Sequence, residues 1–309
     1  MGATVLSTNI SAGKGTPKQP VPGIQIDGRG VVGDAHAGVW SRQVSLLSRE
    51  IIGEFEAEMG RRIRPGEFAE NITTSGLDLR QVACLDRLVT GEAELEVTQI
   101  GKVCHGDACA IFREVGKCVM PREGIFCRVT RGGRVQPEDR IDHTQRPMQV
   151  TVITVSDRAS RGEYEDQSGP EVESAVRQFF AGTRWHLRVA RRLLPDDAAA
   201  LSRELEEQER AAADVVVLTG GTGIGPRDMT PEVVASFCRK MMPGVMEHIR
   251  LKYGADKPNA LLSRSVAAVR GMMQVYAIPG SVRAAREYMA EILKTVEHAL
   301  QMLHGIDAH

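Results

Sequence analysis

The sequence predicts two domains in series: a β-rich barrel or strongly curved sheet over residues 1–145, then an α/β domain built on a mostly parallel sheet over residues 149–309. Three observations carry this. The 309-residue length is about twice that of a usual domain. The texture of the chain changes near residue 145. After that point, apolar strand-like runs alternate with helical patterns, which is how a parallel sheet with helices on both faces is written in sequence.

Before the change, short β-prone runs alternate with glycine-rich turns: VSLLS at 44–48, LEVTQI at 95–100, IFCRV at 125–129 and RGGRV at 131–135. One stretch reads as a helix, SREIIGEFEAEMG at 48–60. Ser48 is placed to cap it, and Ile51, Ile52, Phe55 and Met59 make an apolar face at helical spacing. Many short strands with one helix point to a barrel or a curved sheet. IDHTQRPMQ, at 141–149, is the linker candidate.

After it, VTVITVS at 150–156 is a continuous apolar run, as a strand covered on both faces requires. Ser168-Gly169-Pro170 opens a helix with Val172, Val176 and Phe179 on one side. LRVARRLL at 187–194 is the next strand, and DDAAALSRELEEQER at 196–210 a helix with acidic residues in its first turn. VVVLT at 215–219 is a buried strand, and Thr230-Pro231-Glu232 caps and opens the helix that follows. MMQVYAI at 272–278 is a late strand, and Ser281 opens the C-terminal helix.

The charge balance, 39 basic against 40 acidic residues, argues against a bulk grip on nucleic acid. No window approaches the ~20 uninterrupted apolar residues of a membrane helix, and no signal-peptide core opens the chain. The expectation is a cytoplasmic protein with neither nucleic-acid nor membrane partners. Its six cysteines are then read as thiols or ligands rather than disulfides.

The strongest chemical signal is VVVLTGGTGIGPRDMTPE, residues 215–232. A buried strand runs into Gly220, Gly221, Thr222 and Gly223, with Gly225 close behind. Glycines let backbone N–H groups approach an anion, and a helix opening at Pro231 adds its positive end. Asp228, beside Arg227, is placed to hold Mg²⁺ against phosphate oxygens. No Lys-Ser/Thr pair follows, so this is not a P-loop, and the third glycine of a dinucleotide fingerprint is missing. Ser156-Asp157-Arg158, Glu165-Asp166, Pro195-Asp196-Asp197 and Pro279-Gly280-Ser281 follow other strands. These should converge on one sheet edge, leaving out Ser263 to Arg270.

The half from Val150 onward resembles the molybdopterin adenylyltransferase family of MogA/MoaB type. The resemblance is carried by VSDRAS, the run Tyr164 to Pro170, LLPDD, TGGTGIGPRDMTPE, MPG, LLSRS and IPGS, all in order. It implies a three-layer αβα fold, usually a homotrimer, and transfer of AMP from Mg-ATP to molybdopterin with release of pyrophosphate. It further implies that Asp196 and Asp228 are essential, with Asp228 the metal-binding position. On the same resemblance, Gly220 to Gly223 would contact phosphate, and Ser263 and Arg264 would help hold pterin or phosphate. Ser281 belongs to the last motif, where the family's final proline is replaced here by Val282.

In the first half, Cys104, Cys109, Cys118, Cys127 and His105 cluster within 101–129, without the CxxC pairs of zinc ribbons. Cys127 lies in an apolar strand and reads as core. Cys104 sits beside Lys102 and His105, where positive charge favours a thiolate. Asp34 and His36 are a ligand pair or, more readily, structural. Arg42 and Arg122 serve a phosphate or a loop carboxylate. Residues 1–143 resemble a compact MOSC domain, through GVVGDAHAG, RQVSLLS, PGEFAENITTSGLDL, LEVTQIGKVC and MPREGIFCRV. That resemblance assigns Cys104 to binding molybdenum, molybdopterin or sulfur, with Cys109 and Cys118 as competitors. Together these point to molybdenum cofactor biosynthesis, with ATP, Mg²⁺, molybdopterin and molybdenum as the small molecules handled. The rival readings are a cofactor carrier that has lost adenylyl transfer and a sulfur-handling protein centred on Cys104.

Overall fold

In the computed structural model, residues 2–102 and 118–306 are described. The chain divides into two compact units, Met1–Arg146 and Pro147–His309.

In the first unit an eight-stranded sheet has the order β11-β7-β8-β9-β5-β6-β1-β2, beside a three-stranded sheet β10-β3-β4. The strands are β1 (Thr4–Ile10), β2 (Gln19–Val21), β3 (Ile24–Asp27), β4 (Gly30–Val31), β5 (Val44–Ser48), β6 (Ile72–Ser75), β7 (Arg87–Thr90), β8 (Ala93–Ile100), β9 (Ile125–Arg131), β10 (Gly133–Val135) and β11 (Ile141–Thr144). Among the described pairs, only β5 and β6 run parallel, and helix α1 (Arg49–Met59) lies between them in sequence. Ser48 does cap α1, its hydroxyl accepting from the Ile51 N–H, and Gly60 ends it in the left-handed conformation that favours glycine. Ile51 and Ile52 are buried while Phe55 and Met59 pack partly buried on the same core, so the helical spacing found the right face. Strand alternation supplies the rest of the core: Leu46, Ile72, Leu88, Leu95 and Ile125.

The polar candidates singled out in this unit each meet a neighbour within it. The Asp34 carboxylate is buried, accepts from the backbone N–H of Ser11 at 3.0 Å and of His36 at 2.9 Å, and pairs with buried Lys18. Burial alone would raise its pKa. Hydrogen bonds from His36 and Lys18 outweigh that and hold the carboxyl well below its ordinary range. Arg42 stacks on the Trp40 ring at 5.0 Å, and exposed Arg122 lies 3.9 Å from Glu123. Cys127 is fully buried in β9, and burial pushes its thiol up.

In the second unit, a six-stranded sheet has the order β13-β12-β14-β17-β16-β15. Its strands are β12 (Met148–Val155), β13 (Leu187–Leu194), β14 (Val215–Thr219), β15 (Lys240–Met241), β16 (Val266–Arg270) and β17 (Met273–Ile278). The first four in order are parallel, whereas β16 and β15 are antiparallel to their neighbours. Helices at Ala198–Arg210 and Thr230–Phe237 close one face through Leu201, Leu205, Val233 and Val234. Helices at Ser168–Phe180 and Val282–Leu303 pack on each other and on the strands.

Three local expectations are corrected. In the helix from Ser168 the buried face is Val172, Val176 and Phe180, at i, i+4 and i+8, while Phe179 is exposed. Thr230 does not cap its helix: its hydroxyl donates to the Gly220 carbonyl at 2.9 Å. The helix from Ala198 has no acidic residue in its first turn, because Asp197 is its N-cap and accepts from the Ala200 N–H at 2.7 Å.

One ion cluster fastens the C-terminal helix to the helix at Pro243–Gly254. Glu291 accepts from Lys252 at 2.6 Å and from Lys294 at 2.8 Å, which lowers its pKa from 4.5 to about 2. A depressed carboxyl stabilises the fold fully above its unfolded pKa and loses that contribution as pH falls through the folded value. Unfolding free energies of Glu291→Gln and the native chain, read from urea titrations, should therefore differ at neutral pH by on the order of 1 kcal/mol and converge as pH falls from 4.5 toward 2.

Candidate functional site

The ends of β12, β14 and β17 open into one cavity of about 830 Å³. Beyond β14 the chain must turn without obstructing its neighbours. Gly220 does so at φ +111°, and a Cβ there would collide with the Val155 carbonyl at the end of β12. Gly221 follows at φ +62°, facing Thr230. Further on, a Cβ on Gly223 or Gly225 would come within 2.7 or 2.8 Å of Asp228 Oδ2. These two glycines therefore leave room for the Asp228 carboxylate to fold back, where it accepts from the Gly225 N–H at 2.8 Å.

Among the described residues, the backbone N–H groups of Gly221, Thr222 and Gly223 donate to no protein acceptor. Three consecutive amides left open at a cavity wall are the kind of arrangement that suits an anion, because a backbone donor must find a partner somewhere.

Asp196 enters from the loop after β13, and Asp157 from the loop after β12. They brace each other reciprocally: the Asp157 N–H donates to Asp196 Oδ2 at 2.8 Å, and the Asp196 N–H to Asp157 Oδ1 at 3.0 Å. Arg227 lies 2.5 Å from Asp157 Oδ2 and donates to the Asp196 carbonyl at 3.2 Å, which ties these loops to the glycine turn. Asp166 stays local, accepting from Thr154 Oγ1 at 2.7 Å and the Gly169 N–H at 3.0 Å.

Ser281 lines the cavity and is also the N-cap of the last helix, its hydroxyl accepting from the Ala284 N–H at 3.3 Å. Val282 takes the first helical position, where proline is favoured but not required, so the altered motif leaves the helix start intact.

The segment 263–265, expected to lie apart, joins this edge because β16 runs antiparallel and so begins where the parallel strands end. Ser263 lines the cavity. Arg264 turns the other way: it donates to the carbonyls of Gly223 at 2.6 Å and Asp228 at 2.8 Å, and pairs with Glu232. Its guanidinium holds the glycine turn in shape rather than lining the cavity. Arg270, at the far end of β16, pairs with Glu209.

Beyond helical spacing, nothing in the sequence pattern marks Tyr253, Lys257, Asn259, Glu287 and Tyr288, which also line the cavity. The signal available was the i, i+4 pairing of Ala284 and Tyr288 behind Ser281, which puts both on one helix face. Cys104 and Cys109 lie outside the described residues; Cys118 is half-buried.

Residues 151–298 match the family model described as "Probable molybdopterin binding domain", and residues 33–142 match the MOSC domain model. The chain is similar to the molybdopterin adenylyltransferase of Helicobacter pylori, 30% identical over 157 residues that are 50% of this chain and 88% of that protein. It is also similar to gephyrin of Dictyostelium discoideum, 32% identical over 162 residues, but there it spans only 22% of the relative's length. Among solved structures, the molybdopterin biosynthesis enzyme MoaB from Thermus thermophilus is 34% identical, with a TM-score of 0.46, 51% of this chain and 97% of that one being covered.

Proposed function

Since the chain belongs, through its C-terminal half, to the molybdopterin adenylyltransferase family, we propose that this half transfers AMP from ATP to the terminal phosphate of molybdopterin. A phosphate oxygen of molybdopterin forms a bond to the α-phosphorus, the bond to the β-phosphate bridge breaks, and pyrophosphate leaves. The observation that carries this is the open row of amides at Gly221, Thr222 and Gly223, flanked by two carboxylates. An attacking phosphate is already ionised near neutral pH. What the site must supply is alignment and relief from repulsion between anions.

The residues fit a hard divalent ion. Asp228 and Asp196 each spend Oδ2 on a backbone N–H, and among the described residues Oδ1 of each meets no donor. Such carboxylate oxygens suit Mg²⁺, which when bound would neutralise polyphosphate charge. The amides orient the phosphate chain, and Arg227 keeps the carboxylate-bearing loops in register.

In the same reading the N-terminal half binds molybdopterin, molybdenum or sulfur, with Cys104 as the ligand. The bridge Thr4↔Arg140, with the Ile141 N–H donating to the Ala3 carbonyl at 2.9 Å, would be the seam of a barrel in that half. The protein would work in the cytoplasm, as a trimer built through its C-terminal half. No helix among the described residues is long and apolar enough to cross a membrane.

The test is the intact chain with ATP, Mg²⁺ and molybdopterin. Pyrophosphate should appear in step with adenylylated molybdopterin. Tight pterin binding without pyrophosphate would replace this reading with that of a carrier.

A further inference from the structure

Four consecutive carbonyls of the glycine turn are held by two residues that do not line the cavity. Gly220 O accepts from the Thr230 hydroxyl at 2.9 Å, and Gly221 O from the Thr230 N–H at 3.1 Å. Thr222 O accepts from the Arg264 N–H at 2.9 Å, and Gly223 O from Arg264 Nε at 2.6 Å. Gly220 to Ile224 all line the cavity, whereas Thr230 is fully buried and neither it nor Arg264 is part of the lining. In an extended strand successive carbonyls alternate sides; here Gly220 and Gly221 depart from that at positive φ, and each carbonyl finds a donor behind the turn.

A trans peptide is planar, so its C=O and the N–H of the next residue point in opposite directions. Among the described residues no peptide bond is cis. Fixing the carbonyls of Gly220, Gly221, Thr222 and Gly223 therefore aims the N–H groups of Gly221, Thr222, Gly223 and Ile224 away from Thr230 and Arg264, toward the cavity. The Ile224 N–H, like the other three, meets no acceptor among the described residues. The open row is thus one amide longer than the glycines alone account for.

Arg264 also brings charge to this row from behind. A hydrogen bond from a cation polarises the peptide that accepts it and strengthens the N–H on its other side. The peptide polarised at the Gly223 carbonyl is the one that carries the Ile224 N–H. Arg264 Nη2 donates to the Asp228 carbonyl at 2.8 Å, and Glu232 pairs with Nη1, so the guanidinium is fixed by its neighbours without meeting a ligand.

We propose that Thr230 and Arg264 are positioning residues for the anion site: by holding four carbonyls from behind, they aim and strengthen the four N–H donors that grip a polyphosphate. This rests on the cavity taking a polyphosphate, as adenylyl transfer requires.

Two variants disturb the carbonyls without entering the cavity. Thr230→Val keeps the shape and the backbone N–H and removes the hydroxyl. Arg264→Lys keeps the charge but cannot span the carbonyls of Gly223 and Asp228 as the planar fork does. With inorganic pyrophosphate and Mg²⁺ as the probe, calorimetry on the full chain should show each variant binding about tenfold more weakly. Thr230→Ser, which restores the hydroxyl, should recover most of that loss. In the ligand-free chain, the amide nitrogen resonance of Gly221 should move in Thr230→Val, and that of Ile224 in Arg264→Lys. A merely structural role would lower the melting temperature and leave the affinity of the folded chain as it was. If both folded variants bind pyrophosphate as the native chain does, the proposal is overturned while adenylyl transfer stands. If affinity falls but neither amide resonance moves, the two residues act by another route and the proposal is again overturned. If the variants weaken pyrophosphate as expected and the native chain transfers no AMP, the positioning holds and the adenylyltransferase reading falls. A native chain that binds no pyrophosphate overturns both.

Discussion

Asp228→Asn should fold as the native chain does and lose pyrophosphate release by at least about a hundredfold. The amide keeps an oxygen able to accept from the Gly225 N–H, the contact that now holds the carboxylate at 2.8 Å, so the glycine turn stands. Removed is the negative charge through which this side chain would hold a divalent ion. Stability should change by less than about 1 kcal/mol, as for a half-buried position with its hydrogen bond kept. The check is pyrophosphate release titrated with Mg²⁺: the native response should be steep and that of the variant shallow. Full turnover by a folded variant would remove Asp228 from the metal role and leave Asp196 to be tested in the same way.

Gly220→Ala should damage fold and site together. The residue sits at φ +111°, where a side chain is strained, and its Cβ would meet the Val155 carbonyl, a backbone atom of the neighbouring strand that cannot swing aside. Strain and overlap together cost about 3 kcal/mol or more, which in a domain of this size lowers the melting temperature by about 6–12 °C. Nucleotide binding should be lost with it, because the displaced residue carries the first of the open amides behind it. Gly244 is the control. It lies in the helix at Pro243–Gly254 with nothing within 4 Å of an added Cβ, so Gly244→Ala should be neutral or slightly stabilising. Equal effects at the two glycines would mean that the turn tolerates rearrangement and does not define a cradle.

What was legible in the sequence and what was not divides along physical lines. Local signals carried well: Ser48 before an apolar helical stripe, Ser281 before the last helix, and four glycines after a buried strand are each decided within a few residues. Helical spacing points to Phe179 where the fold buries Phe180, because a one-residue choice at a helix end depends on how the helix rolls against the sheet. Thr230 reads locally as a cap and Arg264 by resemblance as a ligand contact, but each acts on a backbone carbonyl tens of positions or a full loop away, which no local pattern shows. The direction of β16 was the decisive gap. Its composition is that of any buried strand, and only the pairing of Val266 with Ala277 and Arg270 with Met273 shows that it runs backward. That reversal brings Ser263 to the cavity. Glu287 and Tyr288 of the cavity lining went unseen because glutamate and tyrosine on a long amphipathic helix look like ordinary surface and core.

The reversed strand has a consequence for how such a protein changes over time. The segment from Tyr253 to Ser265 reaches the cavity between a helix and the reversed strand β16, whereas the glycine turn follows the central strand β14. Arg264, near the end of that segment, donates through its side chain to the carbonyls of Gly223 and Asp228, and through its own N–H to that of Thr222. Length changes next to Arg264 would therefore disturb the glycine turn, whereas substitutions nearer Tyr253 leave it tied down, so the two ends of one segment are under unequal constraint as the sequence drifts.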